Sequence, residues 1–142
     1  MASPLSRAVD TAVLVTGAEK ASLLLDERLM EIGYGDYEGA VFEELGGAMR
    51  AFIRDPDNAP PPPTVETIAS LMERTGAFLR DLRDAEGDNI LVVTHGVTIR
   101  AFLGHLSGDR SRMVWGVPVH NCQLITTTLE NGEFTDAVIH EM

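Results

Sequence analysis

His95 separates a β-branched run, Ile90-Leu91-Val92-Val93-Thr94, from a glycine. A histidine so placed ends an expected strand at its carboxyl edge, where open α/β sheets present groups to ligands. Arg100 follows one helical turn later. Arg7 falls one turn into an expected first helix, where unpaired N–H groups favour an anion and a planar guanidinium can grip two phosphate oxygens. Glu31 stands in a turn bounded by Leu29 and Ile32, an apolar setting of the kind that tunes a carboxyl for general-acid work. Taken singly, each has an ordinary explanation: a structural histidine, a solvated arginine, an exposed glutamate.

Other chemistries find less to stand on. Cys122 is the single cysteine, which excludes an internal disulfide and a cysteine metal cluster. A cysteine phosphatase loop needs an arginine six residues on, where the chain has Thr128; Cys122 reads as a thiol buried beside a strand. No G-x-S-x-G elbow and no paired His/Asp metal cluster occurs, so no metal and no cofactor is expected. His105, His120 and His140 read as structural.

The charge sets further limits. At 142 residues, a net charge of −11 and a pI near 4.6, the chain repels polyanions, and nucleic acid is not an expected partner. A small phosphorylated metabolite can still bind where a few cations converge. The apolar runs are far short of the roughly 20 residues that span a bilayer, and no signal segment follows Met1; the expectation is a cytoplasmic protein with no membrane partner.

The elements that must position these residues follow from punctuation and period. Ser3-Pro4 reads as a cap and first turn, with Leu5, Ala8, Val9, Ala12 and Val13 on one helix face and a stop near Gly17. Residues Ser22 to Leu25 read as a short buried strand, and a weak helix is expected from about Val41 to Arg54. Pro60 to Pro63 form a stiff exposed connection ending at Thr64 as a helix cap. Ile68, Leu71, Met72, Thr75, Phe78, Leu79 and Leu82 recur at helical spacing. Ile90 to Thr94 reads as a strand buried on both faces, followed by a helix carrying Ile99, Phe102, Leu103 and Leu106. Asn131-Gly132 between residues 123–129 and 133–140 is a hairpin turn. One domain over residues 1–142, with a three-layer α/β fold, is the expected outcome.

Three segments in this order carry a resemblance: Ser3-Pro4-Leu5-Ser6-Arg7-Ala8, Leu29-Met30-Glu31-Ile32-Gly33-Tyr34-Gly35-Asp36-Tyr37-Glu38-Gly39, and Thr94-His95-Gly96-Val97-Thr98-Ile99-Arg100. Together they resemble the histidine phosphatase superfamily, with its phosphoglycerate-mutase-like fold. The resemblance implies an α/β/α sandwich around a mostly parallel sheet, and a phosphomonoesterase, with a phosphoglycerate mutase or a non-catalytic phosphate-ester-binding protein as alternatives. It implies that Arg7 clamps the phosphoryl group, Glu31 protonates the leaving oxygen and His95 hydrogen-bonds the phosphoryl oxygens. Tyr34, Glu66 and Asn121 are further candidates for substrate binding.

Two departures stand beside it. The family's Arg-His-Gly, whose histidine takes the phosphoryl group covalently, has no match, and Val65-Glu66-Thr67 stands where the family has a Gly-Glu-Ser-like motif. The expectation is a chain without the family's first strand, the following helix and the nucleophile, which does not turn over p-nitrophenyl phosphate. Its strand over residues 90–94 is then left with an unpaired apolar edge that favours self-association.

Overall fold

Met1 to Ser3 runs extended between two other segments of the chain. In this computed structural model, which describes residues 1–107, 113 and 118–141, Ala2 bridges Leu25 on one side and Val93 on the other, both in parallel. Ala2 N donates to Leu24 O (2.9 Å) and Ser3 N to Val93 O (2.9 Å), while Val93 N donates to Met1 O (3.1 Å). Among the described residues the parallel pairing goes no further. The strands expected over residues 22–25 and 90–94 are therefore corrected to single bridges. Lys20–Ser22 is a 3-10 turn, Leu24 and Leu25 are exposed, and Ile90 and Leu91, at 38% and 39% exposure, are not buried on both faces. Pro4, which has no N–H to donate, ends the pairing on the side of His95 and hands the chain to a helix. On the far side, Val92 makes no backbone hydrogen bond among the described residues, which leaves the expected unpaired edge.

The described residues form four α-helices. Helix α1, Ser6–Thr16, buries Ala8, Val9 and Ala12 and closes at Gly17. Its cap is Leu5, not Ser3, so Arg7 stands in its first turn. Helix α2 is Gly47–Arg54, preceded by a separate 3-10 turn, Phe42–Glu44, in place of one helix from Val41. Helix α3, Ile68–Leu82, is capped by the Thr67 side chain, not by Thr64. It packs on α4, Gly96–Leu106, where the rings of Phe78 and Phe102 lie 5.7 Å apart. A core of Ile32, Met49, Phe52, Val65, Leu71, Ala101 and Met113 fills the space between α2, α3, α4 and the loop after Leu29. The proline run is not fully exposed: Pro62 is buried and its carbonyl accepts from Val65 N (3.0 Å). Gly35, at φ 55°, passes so close to Thr64 that a Cβ would sit 2.1 Å from the Thr64 carbonyl oxygen, so any other residue would push the two segments apart.

The hairpin at Asn131-Gly132 is present but broken in two. Strands β2, Leu129–Glu130, and β3, Glu133–Phe134, pair antiparallel around Asn131 and Gly132, both at positive φ, as a two-residue type I′ turn requires. Strands β1, Ile125–Thr126, and β4, Val138–Ile139, pair below them. Two residues then face three, and the Thr127 and Thr135 hydroxyls fill the gap, as at a bulge. Cys122 lies exposed in the preceding turn at φ 62°, which corrects the expected buried thiol. No helix among the described residues is long and apolar enough to cross a membrane.

Candidate active site

The N-terminus of α1 and the N-cap of α4 meet because residues 1–3 pair with the segment that ends at His95. Arg7 Nε lies 3.2 Å from His95 Nδ1, and His95 Nε2 lies 2.8 Å from Ser3 Oγ. A guanidinium has no acceptor, so Nδ1 accepts, and the ring proton is on Nε2, donated to Ser3. The Ser3 hydroxyl also accepts from Leu5 N (3.3 Å). Burial holds the His95 pKa below its ordinary value of 6.5, the Arg7 charge adds to that, and Glu31 opposes it. His95 is 7% exposed whereas Arg7 reaches solvent, so the pair presents a cation outward on a neutral, buried imidazole.

Glu31 sits at the N-terminus of α4. Its Oε1 accepts from Ile32 N (3.1 Å), Val97 N (3.1 Å) and Thr98 N (3.2 Å), and Oε2 from Val97 N (3.2 Å). The apolar surroundings expected from Leu29 and Ile32 are thus replaced by donors, because a helix start offers free N–H groups that a carboxylate satisfies.

What holds Glu31 there is Arg74. From α3 its guanidinium donates to the carbonyls of Arg28 (2.7 Å), Met30 (2.8 Å) and Glu31 (3.3 Å). It also pairs through Nε and Nη2 with both oxygens of Glu66, at 2.8 and 2.9 Å. Glu66 in turn accepts from Gly33 N (3.1 Å) and the Ser70 hydroxyl (3.3 Å). Burial pushes the Glu66 carboxyl upward, and the hydrogen bonds from Arg74 and Gly33 overcome this and hold it below its usual range. Both Glu66 oxygens are therefore committed to shaping the loop that carries Glu31 and Tyr34.

Of the residues singled out from sequence, Arg7 and His95 are brought into contact, Glu31 is near enough to act on His95, and Tyr34 is near Glu31. Burial raises the Tyr34 phenol, and the charges of Glu31 and Glu38 raise it further. Asn121 lies in an exposed turn, with no hydrogen bond to Arg7, Glu31 or His95. Ser3 and Arg74 are the residues that sequence reasoning missed: one reads as a helix cap, the other as part of a solvated helix face. The pairing of Arg74 with Glu66 eight residues earlier, across two helical turns, was available in the sequence only as two opposite charges.

A profile of the histidine phosphatase superfamily (branch 1) matches residues 1–140, and the chain belongs to that superfamily. It is 26% identical to phosphoserine phosphatase 1 of Hydrogenobacter thermophilus over 90% of this chain and 63% of that protein. It is 29% identical to a 2,3-bisphosphoglycerate-dependent phosphoglycerate mutase of Cytophaga hutchinsonii over 73% of this chain and 53% of that one. The fold superimposes on a point mutant of TTHB049 from Thermus thermophilus with a TM-score of 0.58 and 29% identity, covering 77% of this chain and 59% of the other. The chain thus spans roughly half to two thirds of the length of these three.

Proposed function

We propose that the site acts on small phosphate monoesters as histidine phosphatases do: Arg7 clamps the phosphoryl group and in doing so releases His95 Nδ1, which takes up a proton and hydrogen-bonds the phosphoryl oxygens, and Glu31 protonates the leaving oxygen. The observation that supports this above others is the Arg7–His95 contact at 3.2 Å, which uses only Nε of the guanidinium. Both terminal nitrogens are left without a protein partner among the described residues, in the fork that matches two phosphate oxygens. The three-layer α/β/α arrangement around a parallel sheet belongs to the same proposal, as do a cytoplasmic location and self-association along the Val92 edge. The stretch Glu31 to Gly39 favours a phosphatase over a mutase.

Without an Arg-His-Gly, the 142 residues bind a phosphate ester and do not turn it over, since no group accepts the phosphoryl covalently. Glu31 lends weight to a second reading, a non-catalytic phosphate-ester-binding protein, because both its oxygens are engaged by α4. Titration with inorganic phosphate, followed by NMR, is expected to move Arg7 and His95, and Arg7→Gln to weaken binding about tenfold or more. If p-nitrophenyl phosphate is hydrolysed by the pure chain and His95→Ala abolishes this, the binding-only reading is wrong. If phosphate leaves Arg7 and His95 unmoved, the site itself is misassigned.

A further inference from the structure

Beside Glu31 opens a cleft of about 250 Å³, walled by Ile32, Tyr34, Phe52, Ile68 and Val97 and closed on one side by Arg100. Tyr34 on its wall lies within reach of the Glu31 charge. A methyl group placed on Gly96 would meet Arg100 Nη1 at 3.6 Å and Glu31 Oε2 at 4.0 Å, so the guanidinium and the acid flank the same point of the α4 N-terminus. Arg100 is also under-used. Its Nη1 donates to Gly96 O (3.2 Å), and its Nε is buried with no hydrogen-bond partner among the described residues. A buried donor left unpaired is uncommon in folded proteins and costly. The guanidinium lines the cleft with Nη2 unpaired among the described residues, and between apolar walls a carboxylate is the acceptor that suits it.

Resting on the phosphate-ester reading above, we propose that this cleft receives the leaving group and that Arg100 selects esters whose alcohol part has an apolar body ending in a carboxylate. The order along the site then matches such a molecule: Arg7 and His95 at the phosphoryl end, Glu31 at the bridging oxygen, apolar side chains along the body and Arg100 at the far acid. The Tyr34 phenol, kept protonated by burial and the neighbouring carboxylates, adds a neutral donor.

Phosphonates test this without requiring turnover. Benzylphosphonate, 4-(phosphonomethyl)benzoate and the matching benzamide are titrated against the chain and against Arg100→Gln and Arg7→Gln by calorimetry. In the unsubstituted chain the benzoate is expected to bind about tenfold tighter than the other two. Arg100→Gln should erase that gain and leave benzylphosphonate where it was, while Arg7→Gln weakens all three alike. Equal binding of benzoate and benzamide overturns the proposal, and because that comparison varies only the ligand it holds even if Arg100→Gln fails to fold. A benzoate preference that survives in a folded Arg100→Gln also overturns it. If neither benzylphosphonate nor inorganic phosphate binds, it is the phosphate site that has failed, and this proposal falls with it.

Discussion

The loop from Arg28 to Tyr34 and the hairpin from Leu129 to Phe134 are both irregular connections, yet they are held by opposite means. The hairpin is made by its own turn: Asn131 and Gly132 adopt positive φ and the register follows. It touches the helices through Arg83, which pairs with Glu133 (3.1 Å) and lies over Phe134. The loop has local bonds, such as Met30 N to Glu27 O, Ile32 N to Glu31 Oε1 and Tyr34 N to Glu38 Oε1, but these do not tie it to the rest of the molecule. It is tied in by distant residues: Arg74 of α3, Glu66 just before that helix, Thr94, and Val97 and Thr98 of α4. A local device tolerates change around it; a distant clasp fails as a unit when one member is lost.

The largest effect expected from that contrast is at Arg74. Arg74→Met leaves Glu66, whose side chain is 18% exposed, as an uncompensated, mostly buried carboxylate, and takes a donor from the carbonyls of Arg28, Met30 and Glu31, of which Met30 keeps the Thr98 hydroxyl. A loss of about 3 kcal/mol is expected in urea unfolding, the low end for breaking such a pair because some solvent remains. The double variant Glu66→Gln/Arg74→Met should lose less than Arg74→Met alone. An unfolding midpoint unchanged in Arg74→Met would show that the clasp is not what holds the loop.

Gly132→Val should do less, and elsewhere. At φ 81° a β-branched residue costs about 1–2 kcal/mol. Hydrogen exchange is expected to quicken at Leu129 to Phe134 alone, with phosphate affinity untouched. Faster exchange around Ile32 in that variant would mean that the two regions are coupled after all.

The smallest effect is a slope. The native His95 pKa lies below 6.5, so as pH falls through 6.5 the unfolded chain takes up a proton before the native one does. Stability therefore declines with falling pH from about 6.5 down to the native pKa of His95. Glu66 and Asp26, whose carboxyls are also held low, act in the same direction only below about 4.5. Melting temperatures of wild type and His95→Gln measured between pH 4.5 and 7 should converge as pH drops. Parallel curves would assign the titration to another group.

The same contrast explains what the amino-acid sequence reveals. The hairpin, the stop at Gly17 and the faces of α1 and α3 are legible because each depends on neighbours within a turn or two. Arg7, Glu31 and His95 are legible as a motif set, but their contacts are not, since they join positions 66 to 92 residues apart. The strands over residues 22–25 and 90–94 read as long because β-branched residues favour extension. Their actual extent is set by what a distant segment, residues 1–3, offers to pair with. Arg74 reads as solvated because helical period assigns a face to a side chain, and a long arginine reaches around the face to which it is assigned.

The row Arg7 to His95 to Ser3 also has a polarity. Each donated hydrogen points inward, from the solvent-facing guanidinium to a buried hydroxyl, and this leaves one ring nitrogen bare and the other protonated. Two nitrogens of one imidazole in such different states resonate far apart. An anion that draws the Arg7 guanidinium toward itself takes away the donor on Nδ1 and shifts that resonance first. The site thus contains its own gauge of occupancy, one that reports which side of the ring a ligand has approached without any dye, label or turnover.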